Sequence, residues 1–366
     1  MADLRFLILG DDFAPAALFK DSIVEALSGL DVPVSFRCVD TEPDDLSAVH
    51  SDEIAEAFGD SAEVAALARD CHVIVTTFAP VTKRVLEETP DLIAIACGRG
   101  GPVNINIEEA TRRGIPVLFA PGRNAQAVAE FTLAGMINLM RQIPAAIDYV
   151  RDGQWRTPRE DTFEKPSGPE LGSRTVGLVG CGRVGRLVGK FLRALGARVL
   201  AYDPYADASE LAALGIVAVS LEDLLQHAEV ISVHARVAED MPPLLGPRQF
   251  AAMAQRPYLV NTARAGAVDH EALLDALRNG TVTAALLDVY PDEPVPRDSP
   301  LLAFDKRRLH LTPHSAGVSR DIPANTARIL AHGLADLMKQ SVPPHVANRE
   351  AVSPCLQRLA KILEPR

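Results

Sequence analysis

Four residues in the carboxyl-terminal half are of types and at places where chemistry is possible. Arg264 follows the apolar run at 258–262, Asp288 ends the run at 283–288 with Glu293 just beyond it, and His314 follows the run at 309–312. Short apolar runs alternating with helical stretches read as strands of a parallel sheet. The carboxyl ends of such strands line one crevice, so the arginine, the two acids and the histidine converge there. A histidine can give or take a proton at oxygen. A carboxylate on its other ring nitrogen fixes the tautomer and favours the imidazolium. An arginine can grip a carboxylate bidentately and polarise a neighbouring carbonyl. Together these groups equip a site for carbonyl reduction by a hydride carrier. Singly, each has a plainer reading: Arg264 in a structural ion pair, Glu293 as a turn acid, His314 as a helix cap.

The elements that must position these groups include a place for the carrier itself. The stretch TVGLVGCGRVGRLVGKFLRALGARVLAYD runs from Thr175 to Asp203. A strand at 176–179 leads into Gly180, Gly182 and Gly185 in G-x-G-x-x-G spacing. A helix at 187–195 and a second strand at 198–202 follow, the latter closed by Asp203. This is the dinucleotide fingerprint in its required strand–helix–strand context. Gly180 allows the tight turn, Gly182 lets a pyrophosphate approach the backbone, and Gly185 lets helix pack on strand. The pyrophosphate sits on the free N–H groups and positive end of the helix. Asp203 stands near the ~20-residue spacing of a ribose-binding carboxylate, with a simple turn role before Pro204 as its alternative.

Ahead of the fingerprint, strands at 4–9, 32–39, 73–77, 92–96 and 116–119 alternate with helices at 16–27, 61–69, 81–88 and 107–113. That is a complete small α/β domain. After its fourth strand come Arg99, Gly100 and Gly101, whose exposed backbone N–H groups and guanidinium could hold a carboxylate or phosphate. A surface ion pair is the alternative for Arg99. Arg123 and Asn124 occupy the corresponding edge after the fifth strand, with the same two readings. Residues 125–150 read as one long apolar helix broken or kinked near Pro144, a spine or subunit contact, with Glu130 inside it as a cap or ion-pair residue. Residues 151–173 are a polar, Pro- and Gly-rich connection. The second domain continues with strands at 216–219 and 230–234 and helices at 222–227 and 270–278. Read from 268 to 275, with Gly266 ahead of it, that last helix carries Asp269 in its first turn, which suits its dipole. A helix at 319–340 then returns to the first domain, leaving that domain discontinuous.

The chain's 366 residues fit about two domains, and 48% hydrophobic residues suffice for packed cores. A net charge of −11 without a long basic run makes nucleic acid and anionic membrane poor partners. Five scattered cysteines contain no C-x-x-C pair. They suggest neither a metal site nor a disulfide framework, and fit a reducing, cytoplasmic setting. No uncharged apolar stretch approaches a membrane span.

With these motifs in view, the chain resembles the D-isomer-specific 2-hydroxyacid dehydrogenase family over nearly its whole length, in the manner of its phosphoglycerate dehydrogenase-like and glyoxylate/hydroxypyruvate reductase-like members. The matching stretches are GRNAQAVAEFTL from Gly122, ELGSRTVGLVGCGRVG from Glu170, NTARAGAVD from Asn261, LDVYPDEP from Leu287 and TPHSAG from Thr312. The resemblance implies two Rossmann-like parallel-sheet domains. One is a flavodoxin-like substrate domain of residues 1–123 plus 317–366; the other is an inserted NAD-binding domain of 124–316, with a homodimer made through the long helix. It implies catalytic Arg264, Glu293 and His314, with His314 as acid/base. It places Asp203 on the adenosine ribose and Asp288 near the nicotinamide amide, with Gly180, Gly182, Arg183, Val184, Gly185, His234, Thr262, Ala263 and Gly317 also lining the cofactor. Substrate contacts fall to Arg99, Gly100, Arg123 and Arg264. Two departures matter. Where the family usually reads G-x-G-x-D-N-I-D, this chain has Gly100-Gly101-Pro102-Val103-Asn104-Ile105-Asn106 behind Arg99, which hints at a larger, more anionic acid such as a sugar acid or its phosphate. Where the family often has Pro-Leu-Thr this chain has Ala235-Arg236-Val237, and Arg236 could neutralise Asp203 or meet a 2′-phosphate; Asp203 would repel such a phosphate, so NAD is the expected cofactor with NADP open. Glu293 weighs against the formate-oxidising branch, which uses glutamine there. An NAD(H)-sensing corepressor-like protein of the same fold is the second reading.

Overall fold

The computed structural model describes residues 3–41, 50–155, 167–237 and 241–364. The centre of the connection expected at 151–173, residues 156–166, lies outside them. The chain divides into two compact units, one of residues up to Arg123 together with those from Ser319 on, the other Asn124–Val318.

The first unit opens with β1 (Leu4–Gly10), α1 (Ala16–Leu27), β2 (Val34–Asp40), α2 (Ser61–Ala68), β3 (Val73–Thr76), α3 (Lys83–Glu88), β4 (Ala94–Cys97), α4 (Ile107–Arg112) and β5 (Val117–Phe119). The strands form a wholly parallel sheet in the order β2-β1-β3-β4-β5. The central strands β1, β3 and β4 are buried at every position but Arg5 and are mostly apolar, because both faces are covered. Phe6 and Ile8 point into one core, Leu7 and Leu9 into the other. Edge strand β2 instead alternates half-buried and exposed positions.

The second unit contains α5 (Ala125–Met140), α6 (Ile143–Arg151), β6 (Thr175–Val179), α7 (Arg183–Ala194), β7 (Arg198–Tyr202), α8 (Ala208–Ala213), β8 (Ile216–Ala218), α9 (Leu221–His227), β9 (Val230–Val233), α10 (Pro247–Ala251), β10 (Tyr258–Asn261), α11 (His270–Asn279), β11 (Ala284–Leu287) and β12 (Leu309–Leu311). Its sheet is parallel in the order β12-β11-β10-β9-β6-β7-β8. That is the doubly wound order of a Rossmann domain, with the strand sequence reversing direction between β6 and β9. The α/β architecture of two parallel sheets is as expected. The chain then re-enters the first unit as α12 (Ile322–Met338) and α13 (Val352–Leu363). Both pack into the core shared by α1.

The long helix is broken near Pro144 as expected: the break falls at Gln142, whose φ of 50° is left-handed, and Pro144 lies in the first turn of α6, where its fixed φ suits a helix start. Two local expectations change. Glu130 accepts a hydrogen bond from Gln126 one turn earlier, and among the described residues it neither caps nor ion-pairs. Asp269 is the N-cap of α11, its carboxylate accepting Ala272 N–H at 3.0 Å, and not a first-turn residue. The tail helix α13 and the short α8 and α10 went unread.

His72 is buried, and His234, His270 and His310 are half-buried. Burial lowers the pKa of His72, His270 and His310, and takes that of His234 down to about 4. His72 Nδ1 accepts the backbone N–H of Arg5, which requires that nitrogen unprotonated. Their folded pKa values lie below the unfolded value near 6.5, so the unfolded chain binds more protons as pH falls. Stability is full above about pH 6.5 and declines toward pH 4. Urea unfolding of the apo chain is expected to give a lower midpoint at pH 5 than at pH 7, by about 1–3 kcal/mol in stability. A midpoint constant across that range refutes the account.

Candidate active site

The reversal between β6 and β9 makes the nucleotide cradle. Gly180, at φ 90°, has the end of β9 directly against it: a Cβ there would stand 2.5 Å from Ala235 N and 2.9 Å from the His234 carbonyl carbon. A Cβ on Gly185 would meet the Gly180 carbonyl oxygen at 2.5 Å. Neither position admits a side chain. Gly182 differs, because nothing lies within 4 Å of where its Cβ would be. It caps α7 with no side-chain hydrogen bond, leaving the first N–H groups, those of Arg183 and Val184 among them, to an external anion. At the end of β7, Asp203 Oδ2 accepts Cys181 N–H at 2.7 Å and Oδ1 accepts Tyr205 N–H at 2.9 Å. The carboxylate therefore closes a turn, which is the alternative reading given for it, and braces the glycine loop. His234 Nε2 lies 3.0 Å from Ser232 Oγ, and its low pKa keeps it neutral. A bound dinucleotide fits these residues: open space over Gly182, uncapped helical N–H groups, and an acid at the second strand's end.

The proton-handling residues hang on β10, β11 and β12 of the same sheet. His314 Nδ1 is 2.6 Å from Glu293 Oε2. The other carboxylate oxygen, Oε1, accepts Tyr290 N–H at 2.9 Å. Partial burial works to raise the Glu293 pKa, but the hydrogen bonds from His314 and Tyr290 N–H, with the charges of His314 and Arg264, outweigh it and leave it below the usual carboxylate value. Glu293 is thus ionised at neutral pH and receives the proton on Nδ1. His314 itself sits at φ 51°, a left-handed backbone unusual for a non-glycine residue. Asp288 holds it there. This carboxylate, 1% exposed, accepts Thr312 Oγ1–H at 2.6 Å, Ser315 N–H at 2.9 Å and Ala316 N–H at 2.8 Å. The Tyr290 hydroxyl lies 2.9 Å from Leu287 O and 2.7 Å from Thr312 O, joining the ends of β11 and β12. Gly317 follows in the same loop, close against Asn124.

Arg264 is carried by the turn after β10. Buried Asn261 donates from Nδ2 to Arg264 O at 3.0 Å and accepts Ala263 N–H at 3.1 Å. The guanidinium is exposed, and its Nη1 donates to Ala263 O at 2.8 Å. Thr262, buried, lies 2.7 Å from the Thr132 hydroxyl of α5. Asn261, Tyr290 and Thr312 were not singled out from the sequence, though a buried asparagine directly after an apolar strand was a readable signal.

In the first unit, Arg99 and Gly100 follow β4. Arg99 is ion-paired with Glu56, donates from Nη1 to Glu56 O at 2.9 Å and stacks 5.2 Å from the Phe78 ring centre. The structure thus holds Arg99 in the ion pair given as its alternative. Nothing crowds Gly100 or Gly101. Asn104, fully buried, donates to Ala79 O at 2.9 Å and accepts the Cys97 thiol at 3.3 Å, tying this loop to the ends of β3 and β4. Arg123 ends the segment after β5.

Residues 133–316 match the model of the family described as D-isomer specific 2-hydroxyacid dehydrogenase, NAD binding domain. The chain is 33% identical to a glyoxylate reductase of Korarchaeum cryptofilum over 285 residues, 78% of this chain and 85% of that protein. It is 36% identical over 282 residues to a D-3-phosphoglycerate dehydrogenase of Archaeoglobus fulgidus, 77% of this chain but 52% of that longer protein. Its fold matches the NAD-complexed D-isomer specific 2-hydroxyacid dehydrogenase of Lactobacillus delbrueckii ssp. bulgaricus with a TM-score of 0.71 at 21% identity, over 94% of this chain and all of that one. These matches do not favour the corepressor-like alternative. A nucleotide cradle and a histidine–carboxylate pair on one sheet, in a chain with these relatives, belong to a member of the D-isomer specific 2-hydroxyacid dehydrogenase family, an NAD-dependent oxidoreductase acting on CH–OH groups.

Proposed function

We propose that the chain reduces a small or medium 2-oxo acid to its D-2-hydroxy acid, with His314 as acid/base, Glu293 as its partner and Arg264 as the carboxylate anchor. The observation that carries this reading is the 2.6 Å contact between His314 Nδ1 and Glu293 Oε2. Bound NADH supplies the hydride to substrate C2. His314 gives its Nε2 proton to the oxygen on C2, and ionised Glu293 stabilises the imidazolium that precedes this step. Arg264 holds the substrate carboxylate and draws charge from the carbonyl. Asp288 keeps the His314 loop in place on the nicotinamide side, and Asp203 takes the ribose hydroxyls. In this reading the first unit is the substrate domain, with Gly100 offering backbone N–H groups, and the second is the NAD domain.

A homodimer through the second unit is part of the same proposal. Ile143, Ile147, Val150 and Trp155 are 37–72% exposed, and α6 buries none of its residues. Beside them a groove of about 600 Å³ is lined by Phe131, Ala134, Pro144 and Phe304. An amphipathic helix left open beside such a groove suits a second copy of the chain. All five cysteines are free and four are buried, in keeping with a cytoplasmic setting.

The test is NADH consumption with glyoxylate, pyruvate, hydroxypyruvate and sugar-derived 2-oxo acids, repeated with NADPH. Turnover of at least one compound is expected, with NADH favoured. Asp203→Ala is expected to narrow the NADH preference by roughly tenfold. No turnover of any compound despite NADH binding refutes the reductase reading, and an unchanged ratio removes Asp203 from the ribose.

A further inference from the structure

The carboxyl edge of the first unit's sheet carries two arginines, and only one of them is neutralised. Arg99 has Glu56, the Glu56 carbonyl and the Phe78 ring. Arg123 has none of these. Its guanidinium is partly buried, and among the described residues it makes no hydrogen bond and no ion pair. Asp11, the acid that acts on it, stands beyond ion-pair distance and is itself taken up by the N–H groups of Phe13 and Ala14. Burial and the like charge of Arg99 both lower the Arg123 pKa. A guanidinium drawn out of water without a counter-charge is costly. It is a natural seat for an anion that arrives from solution. The surroundings are built rather than loose. The Arg123 carbonyl is 3.5 Å from Asn325 Nδ2 of α12, and Ala120 N–H donates to Arg99 O at 2.8 Å, joining the ends of β4 and β5. At the end of neighbouring β3, Thr77, 1% exposed, carries a hydroxyl without a partner.

We infer that Arg123 is a specificity-determining residue that binds a second anionic group, carboxylate or phosphate, on the substrate. This rests on the reductase reading above. Every 2-oxo acid carries one carboxylate, and a partly buried cation without a counter-charge matches a further anionic group and is surplus for a monoanionic substrate.

Three 2-oxo acids separate the cases: 2-oxobutyrate as monoanion, oxaloacetate as dicarboxylate and 3-phosphohydroxypyruvate as phosphate. The native chain is expected to favour one of the two dianions in kcat/KM, and the favoured one identifies the group as carboxylate or phosphate. Arg123→Gln is expected to lower kcat/KM for that dianion on the order of 30-fold, mainly through KM, and at least tenfold more than for 2-oxobutyrate. Arg123→Lys should recover part of the loss. Equal losses on all three, or no loss, overturn the inference. Binding of malonate and inorganic phosphate to the full-length chain, measured by calorimetry with and without Arg123→Gln, gives an arm independent of turnover. If no 2-oxo acid reacts but anion binding falls at least tenfold in Arg123→Gln, the reductase reading fails and the anion site stands. If turnover is seen and neither anion binding nor dianion KM responds, the reductase stands and the anion site falls. Unchanged thermal unfolding of both variants shows that the losses are local.

Discussion

Replacing His314 with alanine is expected to lower kcat for 2-oxo acid reduction by roughly a thousandfold while NADH binds as before. General acid–base groups contribute about 10²–10⁴ in rate, and His314 is well equipped for the task. Its Nδ1 is committed to an ionised Glu293 at 2.6 Å, which leaves Nε2 as the nitrogen that exchanges a proton. Glu293 is itself fixed by Tyr290 N–H. Alanine keeps a Cβ at this left-handed position, so the backbone set by the Asp288 contacts to Ser315 and Ala316 is retained. The cradle around Gly180 and Gly182 is built from other segments, so cofactor binding reports on folding while turnover reports on chemistry. NADH affinity and single-turnover rates measured together check this, and a variant within tenfold of the native rate removes His314 from the acid/base role.

The second large effect is expected at Arg264. Arg264→Gln should lower kcat/KM by about a hundredfold or more, in both kcat and KM, because the same fork anchors the substrate carboxylate and polarises the carbonyl. Among the described residues this guanidinium donates only to Ala263 O, and Asn261 fixes the turn that presents it. Lysine keeps the charge but not the planar fork, so Arg264→Lys should recover little. Steady-state kinetics on the preferred 2-oxo acid decide it. A loss below fivefold for Arg264→Gln would mean that the substrate carboxylate is held elsewhere.

Much of this arrangement could be read from the chain because its signals are local. β7 runs Arg198–Tyr202 and α1 runs Ala16–Leu27, both as expected, since the apolar runs and their flanking turns are contiguous in sequence. The glycine spacing likewise reports one turn. What escaped depends on partners far along the chain. Arg99 looked available because Glu56, which neutralises it, is distant in sequence and approaches only when the sheet is assembled. Asp288 was read for the cofactor, but its three hydrogen bonds bind the loop that displays His314, a link visible only once β11 and β12 lie side by side. Tyr290 reads as one more apolar residue until its hydroxyl is found beside two strand-end carbonyls. Even the helix break was placed by its proline, whereas the backbone turns at Gln142 and Pro144 merely helps to start α6.

The path of the chain has a consequence for its birth on the ribosome. The first unit is begun before the second but finished after it, because α12 and α13 supply Leu330, Leu334, Cys355 and Leu359 to the core that also holds Phe6, Ile8, Phe19 and Ile23. A nascent chain that has just emerged through Val318 therefore has every strand and helix of the nucleotide unit, while one face of the earlier sheet still has α1 but lacks α12 and α13. Translation delivers the older half in an unfinished state for as long as the inserted half takes to emerge. That interval is when its apolar face is open to chaperones and to misassembly.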